Sequence, residues 1–156
     1  MTLNGKQILL IVSGGIAAYK AAVLVRRLKD AGASIVPVLT RGGAQFITPL
    51  TLSALAENPV YEDLFSLKDE AEMGHIRLAR EADLILVAPA SADLIAKMAH
   101  GLTDDLASTT LLAADGPVAI APSMNPVMWA NPATQANVAT LMQRGIQVWG
   151  PADGDM

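Results

Sequence analysis

Four short stretches of the 156-residue chain combine small, hydroxylic and amide side chains as a polar, anionic ligand would require. They are Ser13-Gly14-Gly15, Thr40-Arg41-Gly42, Pro89-Ala90-Ser91 and Pro122-Ser123-Met124-Asn125. Glycine lets backbone N–H groups come close to an anion, while hydroxyls and the Asn125 amide suit phosphate and ribose or ribityl oxygens. His75, directly after Gly74, could act as a base at neutral pH, because an ordinary imidazole titrates near ~6.5. The plainer alternative is a surface histidine at a helix start. His100 stands before Gly101, where a cation favours a helix C-terminus, and fits a capping role better. Asp104 and Asp105 resemble a metal-ligand pair only weakly and suit helix capping. The chain contains no cysteine, which excludes a disulfide framework and a thiolate metal site within it.

These stretches all follow segments that read as strands. Ile8 to Val12 is an unbroken aliphatic run, too continuous for a strand with one wet face, so it is covered on both sides. Ser13-Gly14-Gly15 breaks it, and helical spacing continues from Ile16 to Leu28. At its simplest this is a plain βα connection that needs glycine at positive φ. Ala33 to Thr40 reads as a second strand after the helix-ending Gly32. Short helices follow at Ala44 to Ile47 and Pro49 to Ala56, the latter with Thr48 as N-cap and proline at the first helical position. Asn58-Pro59 stops it, and Val60 to Leu67 has room for a short edge strand. An acidic loop, Lys68 to Met73, leads to a short helix from Gly74 to near Glu81.

Ala82 to Ala88 is a third strand, again apolar on both faces. Helices are expected from about Leu94 to Ala99, and through Ala114 after a cap at Thr103 to Asp105. Val118 to Ala121 is a fourth strand, and Pro122 to Trp129 a dense turn. A helix from Pro132 to Arg144 and a last strand, Ile146 to Trp149, complete the pattern. Strands alternating with helices throughout predict a single α/β domain: a three-layer, Rossmann-like (flavodoxin-like) parallel sheet with helices on both faces. Gly150 to Met156 opens a loop with no element after it, as in a chain cut inside a mobile segment of a longer protein.

Bulk composition narrows the partners. The chain is 52% hydrophobic and only 17% charged, against a usual charged share of about 25%. So few charges imply that part of the outer surface is covered by self-association. The net charge of −4 without a basic run gives nucleic-acid binding no support. No apolar stretch reaches the ~18 residues of a membrane span, and the N-terminus lacks the form of a signal peptide, so a cytoplasmic location is expected. In open α/β sheets the ligand lies beyond the C-terminal ends of the strands, where the four polar stretches fall. A dinucleotide would call for G-x-G-x-x-G and an acidic residue after the second strand, and neither occurs. A Walker-type loop is also missing. The remaining phosphate signal favours a mononucleotide, and flavin mononucleotide (FMN) is the common redox form on this architecture.

Val12 to Lys20, Phe46-Ile47-Thr48-Pro49, Gly74-His75-Ile76, Ala88 to Asp93 and Pro122 to Met128 together resemble the homo-oligomeric flavin-containing cysteine decarboxylases. The similarity spans the whole chain and is greatest to the phosphopantothenoylcysteine decarboxylase branch, in which a ligase domain follows C-terminally. The resemblance implies FMN shared between subunits, trimers that assemble into dodecamers, and 4′-phosphopantothenoylcysteine as substrate. The cysteine moiety would be oxidised to a thioaldehyde, lose CO2 to an enethiol, and be reduced to 4′-phosphopantetheine. His75 matches the family's catalytic base, and Asn125 the residue that holds the departing carboxylate. Without the resemblance, Asn125 is an Asx-turn residue before proline.

For the cofactor, the resemblance and the strand-end positions together point to Gly14, Gly15, Ile16, Ala17, Thr40, Phe46, Ser53, Ala88, Ser91, Ala92, Ser108 and Met124. The Ser13-Gly14-Gly15 turn is expected at the flavin phosphate. Phe46 would cover the ring from a neighbouring subunit or simply pack; Met124 and Met128 would flank it, with core filling an equal alternative for Met128. Asp93 stands where the family often has asparagine, and a carboxylate would repel a phosphate, so it belongs to a helix N-terminus instead. Three other activities share the fold: a peptidyl-cysteine decarboxylase, a flavin prenyltransferase, and a non-catalytic regulatory subunit. Ser123-Met124-Asn125 argues against the prenyltransferase, which usually carries an arginine there.

In the family a cysteine on a substrate-covering flap supplies the final proton, and this chain has none. Given 4′-phosphopantothenoylcysteine and FMN, the chain should release CO2 but accumulate the enethiol. Mass spectrometry of the products checks this, and saturated phosphopantetheine would show that the missing thiol is dispensable.

Overall fold

The computed structural model describes residues 2–63 and 74–151. Five strands, β1 (Gln7–Val12), β2 (Ser34–Leu39), β3 (Leu84–Ala90), β4 (Val118–Pro122) and β5 (Gln147–Val148), form one sheet in the order β2-β1-β3-β4-β5. Every pairing is parallel. This is the flavodoxin-like order, and it confirms the expected α/β class. The helices are α1 (Lys20–Asp30), α2 (Pro49–Ala56), α3 (Gly74–Glu81), α4 (Ala92–His100), α5 (Leu106–Leu112), α6 (Pro126–Ala130) and α7 (Pro132–Gln143).

The aliphatic runs do what their continuity requires. In β1, Leu9 and Ile11 enter one core while Ile8, Leu10 and Val12 enter the other. β3 divides likewise, with Ile85 and Val87 on one side and Leu86 and Ala88 on the other. Residues from α1 and α2 close the second core; residues from α3, α4, α5 and α7 close the first. Leu9, Leu10, Ile11 and Val12 are fully buried; each such side chain contributes about 1.5–3 kcal/mol by leaving water.

Several boundaries differ from the sequence expectation for local reasons. The first helix opens with a 3-10 turn, Ile16–Tyr19, closed by Ala18 N–H donating to Gly15 carbonyl oxygen at 2.9 Å. The segment expected as a helix at 44–47 is a 3-10 turn at Gly43–Gln45. β3 starts at Leu84 and runs to Ala90, two residues beyond Ala88, because Ala90 still pairs with Pro122. The dense turn at 122–129 contains α6, whose N-cap Asn125 and following Pro126 repeat the Thr48-Pro49 pattern. α5 stops at Leu112 and β5 shrinks to two residues. Of the edge strand considered at 60–67, Tyr61 makes an isolated bridge to Val38; residues 64–67 and the loop 68–73 lie outside the described residues.

Two glycine contacts hold the loop after β2 against β1. A Cβ on Gly14 would stand 3.2 Å from the Gly42 backbone, so the two turns pack main chain to main chain. A Cβ on Gly43 would come within 2.5 Å of the Val12 carbonyl oxygen and 2.8 Å of Leu39 Cδ1. Gly43→Ala should therefore cost about 1–3 kcal/mol. Gly116→Ala, where nothing lies within 4 Å, should stay within about 0.5 kcal/mol. Urea denaturation of both variants checks the contrast.

Candidate functional site at the strand C-terminal edge

The sheet order reverses between β1 and β3: the chain leaves β1 toward β2 on one side and returns to β3 on the other. That reversal opens a crevice at the strand C-terminal ends, and the predicted polar stretches line it. Backbone hydrogen bonds set them side by side. Thr40 N–H donates to the Val12 carbonyl at 3.0 Å, Ser13 N–H to the Pro89 carbonyl at 3.2 Å, and Ser123 N–H to the Ala90 carbonyl at 3.1 Å. The four stretches are thus a continuous rim built by parallel pairing.

Each element places its residues differently. Gly15 adopts φ +144°, a glycine-favouring value, and no atom lies within 4 Å of where its Cβ would be. The turn after it has no side-chain cap, so the first N–H groups, at Ile16 and Ala17, are left for a ligand or water. Ile16 is exposed and Ala17 half-buried. Ser91 is the N-cap of α4, its Oγ accepting from Leu94 N–H at 3.1 Å. Ala88 is buried in β3 and Ala92 opens α4. Thr40 Oγ1 accepts from Gly43 N–H at 3.0 Å, which shapes the loop leading to the exposed Phe46. Met124 packs against the first core.

Asn125 caps α6, with Oδ1 accepting from Met128 N–H at 2.8 Å. That bond commits the oxygen to the helix, and the residue is exposed. His75 lies half-buried in the first turn of α3. α3 feeds β3 through residues 82–83, so its C-terminus meets the start of the strand. His75 thus lies at the end of α3 remote from that junction.

Two expected positions do not join the rim contacts. Ser53 lies mid-helix on α2, half-buried. Ser108 is 2% exposed, and its hydroxyl is engaged with Asp105 in a capping box at the start of α5. A cavity of about 150 Å³, lined among others by Ser108, Lys97, Leu111, Leu141 and Arg144, contains none of the other expected cofactor residues.

The charged residues near α4 are structural. Asp93 sits in the first turn of α4, as its charge requires, and pairs with Lys97 at 3.2 Å. Lys97 also reaches Asp104 at 3.1 Å. Partial burial opposes the Lys97 charge, but the hydrogen bonds to Asp104 and Asp93 prevail and hold its pKa above the usual lysine value. The same hydrogen bond holds the Asp104 carboxyl below its ordinary range. Asp105 caps α5, and among the described residues no cluster could hold a metal ion. His100 ends α4 before Gly101, as expected of a capping cation, and its Nε2 meets Asn137 Oδ1 at 3.0 Å. Sequence reasoning missed the Ser13 side chain, whose partners lie 76 and 78 residues away.

Apolar side chains of the first turn, α1 and α2 are exposed. Ile16, Tyr19 and Val23, three and four residues apart, are 64%, 59% and 52% exposed, and Leu50 on α2 is 78% exposed. Leucine, isoleucine and valine at such exposure form a face that water does not favour.

Comparison with known proteins gives the geometry its context. The Flavoprotein family model matches residues 1–156. The chain is 56% identical over 154 residues to the coenzyme A biosynthesis bifunctional protein CoaBC of Vibrio vulnificus, covering 99% of this chain and 38% of that protein. The chain thus spans about two-fifths of the length of the curated relatives it matches. Among solved structures, the FMN-dependent cysteine decarboxylase SpaF superposes with a TM-score of 0.89 at 31% identity, covering 94% of this chain and 85% of that one. A PPC decarboxylase mutant complexed with pantothenoylaminoethenethiol gives 0.82 at 31% identity, covering 94% and 82%. Matched end to end by the family model and superposing on these decarboxylases over nearly all its length, the chain belongs to the Flavoprotein family.

Proposed function

We propose that this chain binds FMN at the β1–β3 crevice and decarboxylates 4′-phosphopantothenoylcysteine in coenzyme A biosynthesis, giving 4′-phosphopantetheine when a proton donor completes the site. The observation that carries the reading is the uncapped Gly14–Ala17 turn standing beside Ser91 at the reversal of the sheet. An uncapped N–H pair suits the FMN phosphate, the rim hydroxyls suit the ribityl chain, and the apolar side chains around it suit a flavin ring. The substrate choice follows the 56% identity to CoaBC over the 31% identity to SpaF. A peptidyl-cysteine substrate is the reading this sets aside. A ligase domain following in the natural protein and a cytoplasmic workplace fit the same role.

FMN, when bound, would take two electrons in oxidising the substrate thiol to a thioaldehyde and return them as hydride to the enethiol. The chain's residues do the rest. His75 takes a proton from the substrate during that oxidation. Asn125 Nδ2 holds the carboxylate, so that CO2 leaves as its electrons move into the thiocarbonyl. The exposed α1–α2 face and Phe46 pack against neighbouring copies, in trimers that assemble further into dodecamers and share the flavin between subunits.

Titration with FMN should quench its fluorescence and yield a yellow protein; a chain that rejects FMN would overturn the reading. His75→Asn should keep FMN but lose CO2 release by about 100-fold or more. Asn125→Asp should keep the α6 cap yet lose CO2 release comparably, since it meets the carboxylate with like charge. Sedimentation should give a multiple of three subunits, and Leu50→Asp in the exposed face should yield monomers.

A further inference from the structure

The β1–β3 ladder pairs Ile8 with Leu84 through Ile11 with Val87. Beyond it lies Pro89, which has no N–H to offer, and the β3–β4 register shifts between Val87 and Ala90. At this weak point a side chain takes over. Ser13 Oγ donates to the Pro89 carbonyl oxygen at 2.6 Å and accepts from Ser91 N–H at 2.8 Å. Ser13 is 1% exposed, so neither its oxygen nor its proton is available to a ligand, and both are satisfied. Its partner is different: Ser91 is half-buried on the rim and caps α4.

We propose that Ser13 is a positioning residue, whose buried hydroxyl holds Ser91 and the first turn of α4 in register with the Gly14–Ala17 turn, and so sets how tightly and in what electrostatic surroundings the flavin is held. The proposal rests on the crevice being the FMN site. Its physical basis is that Ser91 N–H, with Ser13 Oγ removed, loses its acceptor on the side that the 1% exposed Ser13 closes to water. The turn must then shift to find one, and the rim shifts with it. Ser13 acts through Ser91 and touches no ligand.

Four forms of the 156-residue chain test this: Ser13→Ala, Ser13→Cys, Ser91→Ala, and the Ser13→Ala/Ser91→Ala double variant. The readouts are FMN affinity by fluorescence, the visible spectrum and midpoint potential of the bound flavin, and amide exchange of the ligand-free protein. Ser13→Ala should weaken FMN about tenfold or more, shift the flavin spectrum, and speed exchange at Ser91 and Leu94. Ser13→Cys, which keeps a weaker donor and acceptor, should fall between alanine and the parent, and it carries the test if Ser13→Ala does not fold. The double variant should speed exchange at residue 91 as Ser13→Ala does, because Ser91→Ala keeps the N–H that Ser13 Oγ accepts. Parental affinity and spectrum in Ser13→Ala would overturn the proposal. Exchange separates the two readings: if every form rejects FMN but exchange at Ser91 speeds up, the cofactor assignment fails while the clamp stands. Unchanged exchange removes the clamp.

Discussion

The molecule depends on how β1 is held. It is hydrogen-bonded along both edges, to β2 and to β3, and its side chains are buried on both faces. A strand so confined has one free direction, its C-terminal end, and the chain there must turn at once into a helix. Ser13-Gly14-Gly15 makes that turn under three constraints: the Gly42 backbone presses on Gly14, Gly15 takes a positive φ, and Ser13 is tied to Pro89 and Ser91. The crevice is rigid because the strand beneath it cannot move without opening two cores at once.

Helix ends around this strand divide into two kinds. Thr48, Ser91, Asp105, Asn125 and Asn131 each use a side-chain oxygen to satisfy an N–H group of the helix they start. Such ends are self-sufficient and make little demand on an outside anion. The turn after β1 starts on glycine and has no such oxygen. Its first N–H groups, at the sheet's reversal, are left open to an anion or water. In Asn125 the cap commits Oδ1 to the start of α6.

The surface is organised by the same economy of charge. With only 17% charged residues, the protein still uses two ion pairs to join elements: Lys29 of α1 to Glu57 at the end of α2, and Lys97 of α4 to Asp104 before α5. The exposed face around Ile16, Tyr19 and Val23 is left apolar beside the crevice.

Much of this was legible in the residues. Continuous aliphatic runs required strands buried on both faces, and their alternation with helices required a parallel sheet. Proline and asparagine signals located helix starts, and the missing third glycine and strand-end acid set aside a dinucleotide. These follow from local sterics and periodicity, which a chain carries at every position. The tertiary structure decided what depends on distant partners. It tied Lys29 of α1 to Glu57 at the end of α2, and set the ends of β1, β2, β3 and β4 side by side through backbone bonds. Above all it joined Ser13 to Pro89 and Ser91. No local pattern marks that serine as different from any other at a turn, because its role is created only when two strands 76 residues apart end side by side.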